Sequence, residues 1–172
     1  MNESNKTSQF WNDLKSGHFA TMVKESSKGQ SVSNSQEVYN IMKPMFARED
    51  DVERVYLIFL DARNKILAIE NLFSGSITSS TIYSREIVKR IVQLKATAVV
   101  LVHNHPSGET TPSTEDKEIT VNVAIAAGSI DVLLHDHIII GDGYHSMADT
   151  GLIRKFSEIF ESFLKLGIEP DR

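Results

Sequence analysis

The chain has 172 residues, 41% of them hydrophobic, and its 18 basic against 23 acidic residues give a net charge of −5. That length suits one domain with a real core, and the acidic balance disfavours a protein that grips nucleic acid chiefly through phosphates. The absence of cysteine rules out disulfides and thiolate metal sites, while a polar N-terminus and no long apolar run predict a soluble, cytoplasmic chain without signal peptide or membrane span.

Residues 1–34 read as a polar N-terminal segment. A short helix is expected around Phe10, Trp11 and Leu14, followed by a linker over residues 24–35 whose composition can bury little. Residues 33–47 are predicted helical, with Ser33 and Gln36 at capping-box spacing and Val38, Ile41, Met42 and Met45 as the buried side. Pro44 should kink or shorten that helix. In the acidic run that follows, Glu49, Asp50 and Asp51 read as a solvated turn, and Glu53 opens a strand.

Residues 55–60 and 66–69 are apolar runs separated by a turn containing Asn64, the pattern of a β-hairpin. Residues 72–77 continue as a strand or irregular edge, and the Ser/Thr-rich 78–81 read as loop. Residues 84–95 are predicted helical, with Ile87, Val88, Ile91, Val92 and Leu94 at helical spacing. Arg85, Lys89 and Arg90 on its other side read as a solvated face rather than a nucleic-acid patch.

Residues 96–102 are apolar at nearly every position and rich in β-branched side chains, as in a strand buried on both faces. His103 and His105 follow, pointing the same way where the strand ends, with Asn104 pointing opposite. Pro106 and Gly108 break the strand into a loop. Ser113 is placed to cap a helix over residues 114–127, ending near Gly128, with Asp116 three residues into it. Two imidazoles and one carboxylate then converge, three protein ligands that leave a fourth zinc position open, as in catalytic rather than structural sites. The letters His-Asn-His do not indicate an HNH nuclease, whose residues are dispersed over a ββα unit.

A further strand is expected over residues 130–141, around His135, Asp136 and His137. Since His103, His105 and Asp116 already complete a ligand set, Asp136 and His137 are assigned hydrogen-bonding roles near the site. Residues 144–147 form a short strand after the turn at Asp142 and Gly143. Residues 149–166 should form an amphipathic helix with Ile153, Phe156, Ile159, Phe160, Phe163 and Leu164, a core or dimer stripe with too few basic residues to anchor in a membrane.

His103-x-His105-x7-Ser113-x2-Asp116 resembles the JAMM motif of MPN/JAB-domain metalloproteases at every defined position. The fuller wording His-Asn-His-Pro-Ser-Gly is similar to the bacterial RadC family, as are Phe59-Leu-Asp61, Leu72-Phe-Ser-Gly75, Tyr83-Ser-Arg85-Glu86, Asp136-His137 to Gly141 and Tyr144-His-Ser146. The resemblance implies a JAB/MPN α/β fold, a mixed β-sheet flanked by helices with cytidine-deaminase-like architecture, over residues 35–172 with a motif-bearing core at about 50–153. It implies Zn2+ held by His103, His105 and Asp116, a hydrolase acting on a peptide or isopeptide bond, and a bound water whose pKa falls toward about 7. Ser113 would donate to the oxyanion. The family's general base is a glutamate on an upstream strand. Glu53 fits it best, in its Glu-x5-Phe-Leu-Asp setting, with Glu70 in reserve. RadC proteins also carry an N-terminal helix-hairpin-helix-like region for which this chain is too short. Two other readings stay open: an accessory protein of DNA repair or recombination whose zinc is structural or vestigial, and a metal hydrolase of phosphodiesters.

Overall fold

The computed structural model describes residues 18–46, 52–75 and 83–166, with no account of the side chains at 160 and 163–166. The expected helix around Phe10 and Trp11, the acidic turn at 49–51 and the loop at 78–81 lie outside the described residues. In chain order come α1 (His18–Ser27), α2 (Ser35–Met42), a 3-10 turn (Lys43–Phe46), β1 (Arg54–Leu60), β2 (Ile66–Ser74), α3 (Ser84–Leu94), β3 (Ala98–Asn104), α4 (Thr114–Gly128), β4 (Leu133–Ile140), β5 (Tyr144–Ser146) and α5 (Leu152–Leu166).

The five strands form one mixed sheet in the order β2-β1-β3-β4-β5. β1 pairs antiparallel with β2 and with β3, β3 runs parallel to β4, and β5 returns antiparallel along β4. β1 and β3 are buried at all seven positions each, because helices cover both faces. Tyr56, Ile58, Leu60, Val100 and Val102 pack under α2 and the 3-10 turn with Val38, Met42 and Met45. Val55, Leu57, Phe59, Val99 and Leu101 pack on the opposite face with Ile87 and Ile91 of α3 and Ile119 and Val123 of α4. Each such fully buried side chain stabilises the fold by about 1.5–3 kcal/mol relative to exposure. The predicted hairpin and the central strand are both present, and the sheet has the expected mixed α/β architecture.

Several boundaries differ from the expectation. The cap of α2 is Asn34, not Ser33: its side chain accepts the Glu37 amide at 2.9 Å, and Glu37 reaches back to the Ser33 amide at 2.7 Å. Helix α2 stops at Met42 and Pro44 sits in the 3-10 turn, as its missing amide requires. The stretch read as linker is ordered: α1 extends to Ser27, Gly29 and Ile66 share a main-chain hydrogen bond at 2.8 Å, and Val32 is buried. On α3, Val92 is 62% exposed rather than packed. β4 starts only at Leu133, which is itself exposed, after Asp131 takes a left-handed conformation at φ 58°. A groove of about 820 Å³ between α4, the start of β4 and α5 is lined by Ile125, Leu133, Phe156 and Ile159 among others. Among the described residues no helix is long and apolar enough to cross a membrane.

Candidate metal centre

The site forms where β3 ends. His103 is its penultimate residue and 1% exposed; His105 follows the strand and stays tied to the sheet, its amide donating to Ile140 O at 2.8 Å. Their side chains share a face, as strand alternation requires. Asn104, between them, turns sideways to β1. Its Oδ1 accepts the Arg54 amide at 2.7 Å and its Nδ2 donates to Val52 O at 3.2 Å, which clamps the main chain on both sides of Glu53.

The loop after His105 is braced in two ways. The Glu109 carboxylate accepts both the Thr110 and Thr111 amides and the Thr111 hydroxyl. This turns the Glu109 carbonyl toward His105, whose Nδ1 donates to it at 2.7 Å. Gly108 and Gly141 pack main chain on main chain. A Cβ at Gly141 would stand 2.3 Å from Gly108 O, and the Asp142 amide donates to that same oxygen at 2.9 Å. Only glycine permits such an approach.

Ser113 then caps α4 in a full capping box. Its Oγ accepts the Asp116 amide at 3.0 Å, and Asp116 Oδ2 accepts the Ser113 amide at 2.7 Å. The reach back toward the cap carries the 2% exposed Asp116 carboxylate to the imidazoles, with Oδ1 3.0 Å from His103 Nε2 and Oδ2 3.2 Å from His105 Nε2. The two Nε2 atoms are 2.8 Å apart. The expected trio is therefore assembled, and among the described residues it is a cluster that can hold a metal ion. Ligands about 2.0–2.2 Å from a tetrahedral zinc stand roughly 3.3 Å apart, so a shift of a few tenths of an ångström would admit the ion.

Behind the trio lies a buried pair. His137 of β4 places Nε2 2.8 Å from His103 Nδ1 and Nδ1 2.6 Å from the Thr120 hydroxyl, and that hydroxyl lies 2.6 Å from Asp116 O. Thr120 was not singled out from the sequence, although its position four residues after Asp116 on one helix face was a legible signal. Asp136, expected near the site, is not there. Its carboxylate accepts the Ser146 hydroxyl and the His137 and Ala148 amides, which holds the β4–β5 corner on the far face of the sheet.

The electrostatics follow from these contacts. Burial would push the Asp116 carboxyl up, but hydrogen bonds from His103 and His105 outweigh it and hold the pKa far below the ordinary range. His105 is raised, first by its hydrogen bond to Asp116, with the Glu109 carbonyl and the charges of Asp116 and Glu53 adding to it against burial. The pKa of His137 is pushed down, by burial first and then by the neighbouring His103.

The two glutamates considered as a base part company. Val55 pairs with His103 across the β1–β3 ladder. Glu53 lies two residues before Val55, and its charge adds to the raising of the His105 pKa. Glu70 pairs with Leu57 further from the site, and its carboxylate accepts two hydrogen bonds from Arg90, one of them at 2.9 Å from Nε. Arg90 is thus engaged with Glu70, whereas Arg85 and Lys89 form the expected exposed face. The Ser113 oxygen is used as an acceptor in the cap, which leaves its hydroxyl proton to donate.

A mixed sheet with helices on both faces, and a His-x-His strand end facing the acid of a capped helix, define the JAB/MPN class of α/β domain. A family model described as a RadC-like JAB domain matches residues 32–152, and the chain belongs to that family. Among curated relatives, a UPF0758 protein of Legionella pneumophila strain Corby is 43% identical over 111 residues, which cover 64% of this chain and 48% of the relative. The UPF0758 proteins of strains Lens and Paris give the same figures. The chain spans about half the length of these relatives.

Proposed function

We propose that the protein is a zinc-dependent hydrolase of the JAMM type, a metallopeptidase or isopeptidase whose partner is a peptide or protein substrate. The observation that carries this reading is the convergence of His103, His105 and Asp116, whose ligand atoms lie within 4.8 Å of one another. His105 donates from Nδ1 to the Glu109 carbonyl, so Nε2 is the nitrogen that can give up its proton to hold a metal. The adjacent Asp116 carboxylate is acceptor-only when ionised, and its pKa keeps it ionised. Such a donor set, nitrogen and oxygen without sulfur, suits zinc with an open coordination position. Two of the three ligands sit on the sheet and the third on a capped helix turn, so the set is held rigidly.

Zinc, when bound, supplies Lewis acidity toward a water and a substrate carbonyl. The chain's own residues supply the rest. Glu53, whose flanking main chain is held by the Asn104 clamp, takes the proton of the attacking water and returns it to the leaving amine. Ser113 donates its hydroxyl proton to the developing oxyanion. The half-buried Glu70 remains with Arg90 and takes no part.

The test begins with metal analysis of the reconstituted protein, which should give about one zinc per chain, lost in His103→Ala or His105→Ala. A chain that stays metal-free after reconstitution defeats the reading. With a library of peptide and isopeptide substrates, Glu53→Gln should keep zinc and lose roughly 10²–10⁴-fold of the rate, while Glu70→Gln stays active. The reverse outcome would move the base to Glu70.

A further inference from the structure

The geometry points to His137 and Thr120 as a positioning pair that fixes the tautomer of His103 and thereby sets the metal affinity of the site. The inference rests on the metal reading above and extends it to residues that touch no ion.

The main-chain oxygen of Asp116 can only accept, and the Thr120 hydroxyl lies 2.6 Å from it. The single hydroxyl proton of Thr120 therefore points to Asp116 O, and its oxygen is left to accept. His137 Nδ1, 2.6 Å away, must then be the donor. His137 is 1% exposed and its ring nitrogens meet the Thr120 hydroxyl and His103, with no carboxylate hydrogen-bonded to the ring among the described residues, so it carries the single proton of a neutral imidazole. Its Nε2 is consequently an acceptor, and the partner at 2.8 Å is His103 Nδ1, which must donate. His103 then offers Nε2, its nitrogen beside His105 and Asp116, as the atom that can hold a metal.

The chain of hydrogen bonds thus runs from one ligand back to another. His103 on β3 is tied through His137 on β4 and Thr120 on α4 to the main chain of Asp116. Three elements are held in one register, and every link is buried. Without the pair, His103 would be free to hold its proton on Nε2, the atom that must be bare to bind a metal. Outer hydrogen bonds to ligating histidines are typically worth 10–100-fold in metal affinity.

The experiment uses the full chain labelled with 15N. After metal removal by chelator, long-range 15N–1H correlation of the imidazoles should show His103 protonated on Nδ1. His137→Leu, similar in size but unable to accept, should shift His103 toward the Nε2–H form and weaken zinc binding 10–100-fold in competition with a chromogenic chelator. His137→Gln can restore the acceptor and should fall between. Thr120→Val, which removes the acceptor for His137, should weaken zinc in the same direction, and Thr120→Ser should restore it. The Thr120 pair decides the matter if His137→Leu does not fold. The inference is overturned if His103 of the metal-free wild type has no proton on Nδ1, or if folded His137→Leu or Thr120→Val binds zinc within twofold of wild type. A wild type that takes no zinc sinks the metal reading itself, and the tautomer spectrum is then still read for the pair alone.

Discussion

Asn104 Oδ1 accepts the main-chain amide of Arg54 at 2.7 Å, across two strands whose ends carry the metal cluster on one side and Glu53 on the other. The middle residue of His-Asn-His thus joins β3 to the approach of β1 while its neighbours face the cluster. In Asn104→Ala the buried Arg54 amide loses its partner, at a cost of about 1–3 kcal/mol. Urea denaturation measures that loss. Zinc stoichiometry should be unchanged, because neither imidazole leans on Asn104.

Gly141→Ala should disturb the metal loop from outside it. The added Cβ meets Gly108 O at 2.3 Å and Gly108 C at 2.7 Å, and main chain cannot yield as a flexible side chain would. An overpacking cost of about 1–3 kcal/mol is expected, together with weaker zinc retention as the loop shifts His105. Gly143→Ala, whose Cβ would meet nothing within 4 Å, is the control and should change stability by about 0.5 kcal/mol or less. Equal effects of the two substitutions would show that the close approach is not what matters.

Ser113 has two roles that substitution can separate. Ser113→Ala removes the cap and should cost about 0.5–2 kcal/mol. Ser113→Thr keeps a hydroxyl and should recover most of that stability. If the hydroxyl also serves hydrolysis, the alanine variant loses rate beyond what its fraction unfolded explains, measured at a temperature where both variants are fully folded.

Asp136 governs a pH dependence unrelated to the metal. Burial raises its pKa above the ordinary value of 3.8, against the hydrogen bonds from Ser146, Ala148 and His137. The folded state then holds the proton more tightly than the unfolded chain. Its contribution is fully present below pH 3.8 and is lost as pH rises through the raised folded pKa, with a slope of up to about 1.4 kcal/mol per pH unit in that window. Asp136→Asn should remove this step from a series of denaturation curves across the acid range. A profile identical to wild type would refute the assignment.

Much of this was legible in the chain. The unbroken apolar run before His103 announced a central strand, and period-two alternation fixed which way both histidines face. Ser113 and Asp116 announced the helix start. What escaped had physical causes. Two capping boxes overlap at the start of α2, Ser33 with Gln36 and Asn34 with Glu37, and only packing selects between them. The segment before Ser33 is polar, yet its main chain pairs with the β1–β2 turn through the bridge of Ser31 to Lys65, and hydropathy does not register such bonds. Asp136 and His137 are consecutive on β4 and so face opposite sides, and an irregularity beside β3 decides which of them meets the site: Val99 pairs with Leu134 but Val100 with Asp136, leaving His135 as an extra residue. A bulge of that kind resets the alternation without leaving a mark in the residue types.

The interval from Ser113 to Asp116 is three residues because a helix has a fixed pitch. Each residue turns the chain by about 100°, and the capping box sets the zero of that rotation at Ser113. Asp116 therefore meets the imidazoles at one phase only. One residue inserted between the two would swing the carboxylate more than a quarter of a turn away from His103 and His105 while moving it only about 1.5 Å along the axis. The spacing in this part of the motif is an angle recorded in the sequence as a count of residues.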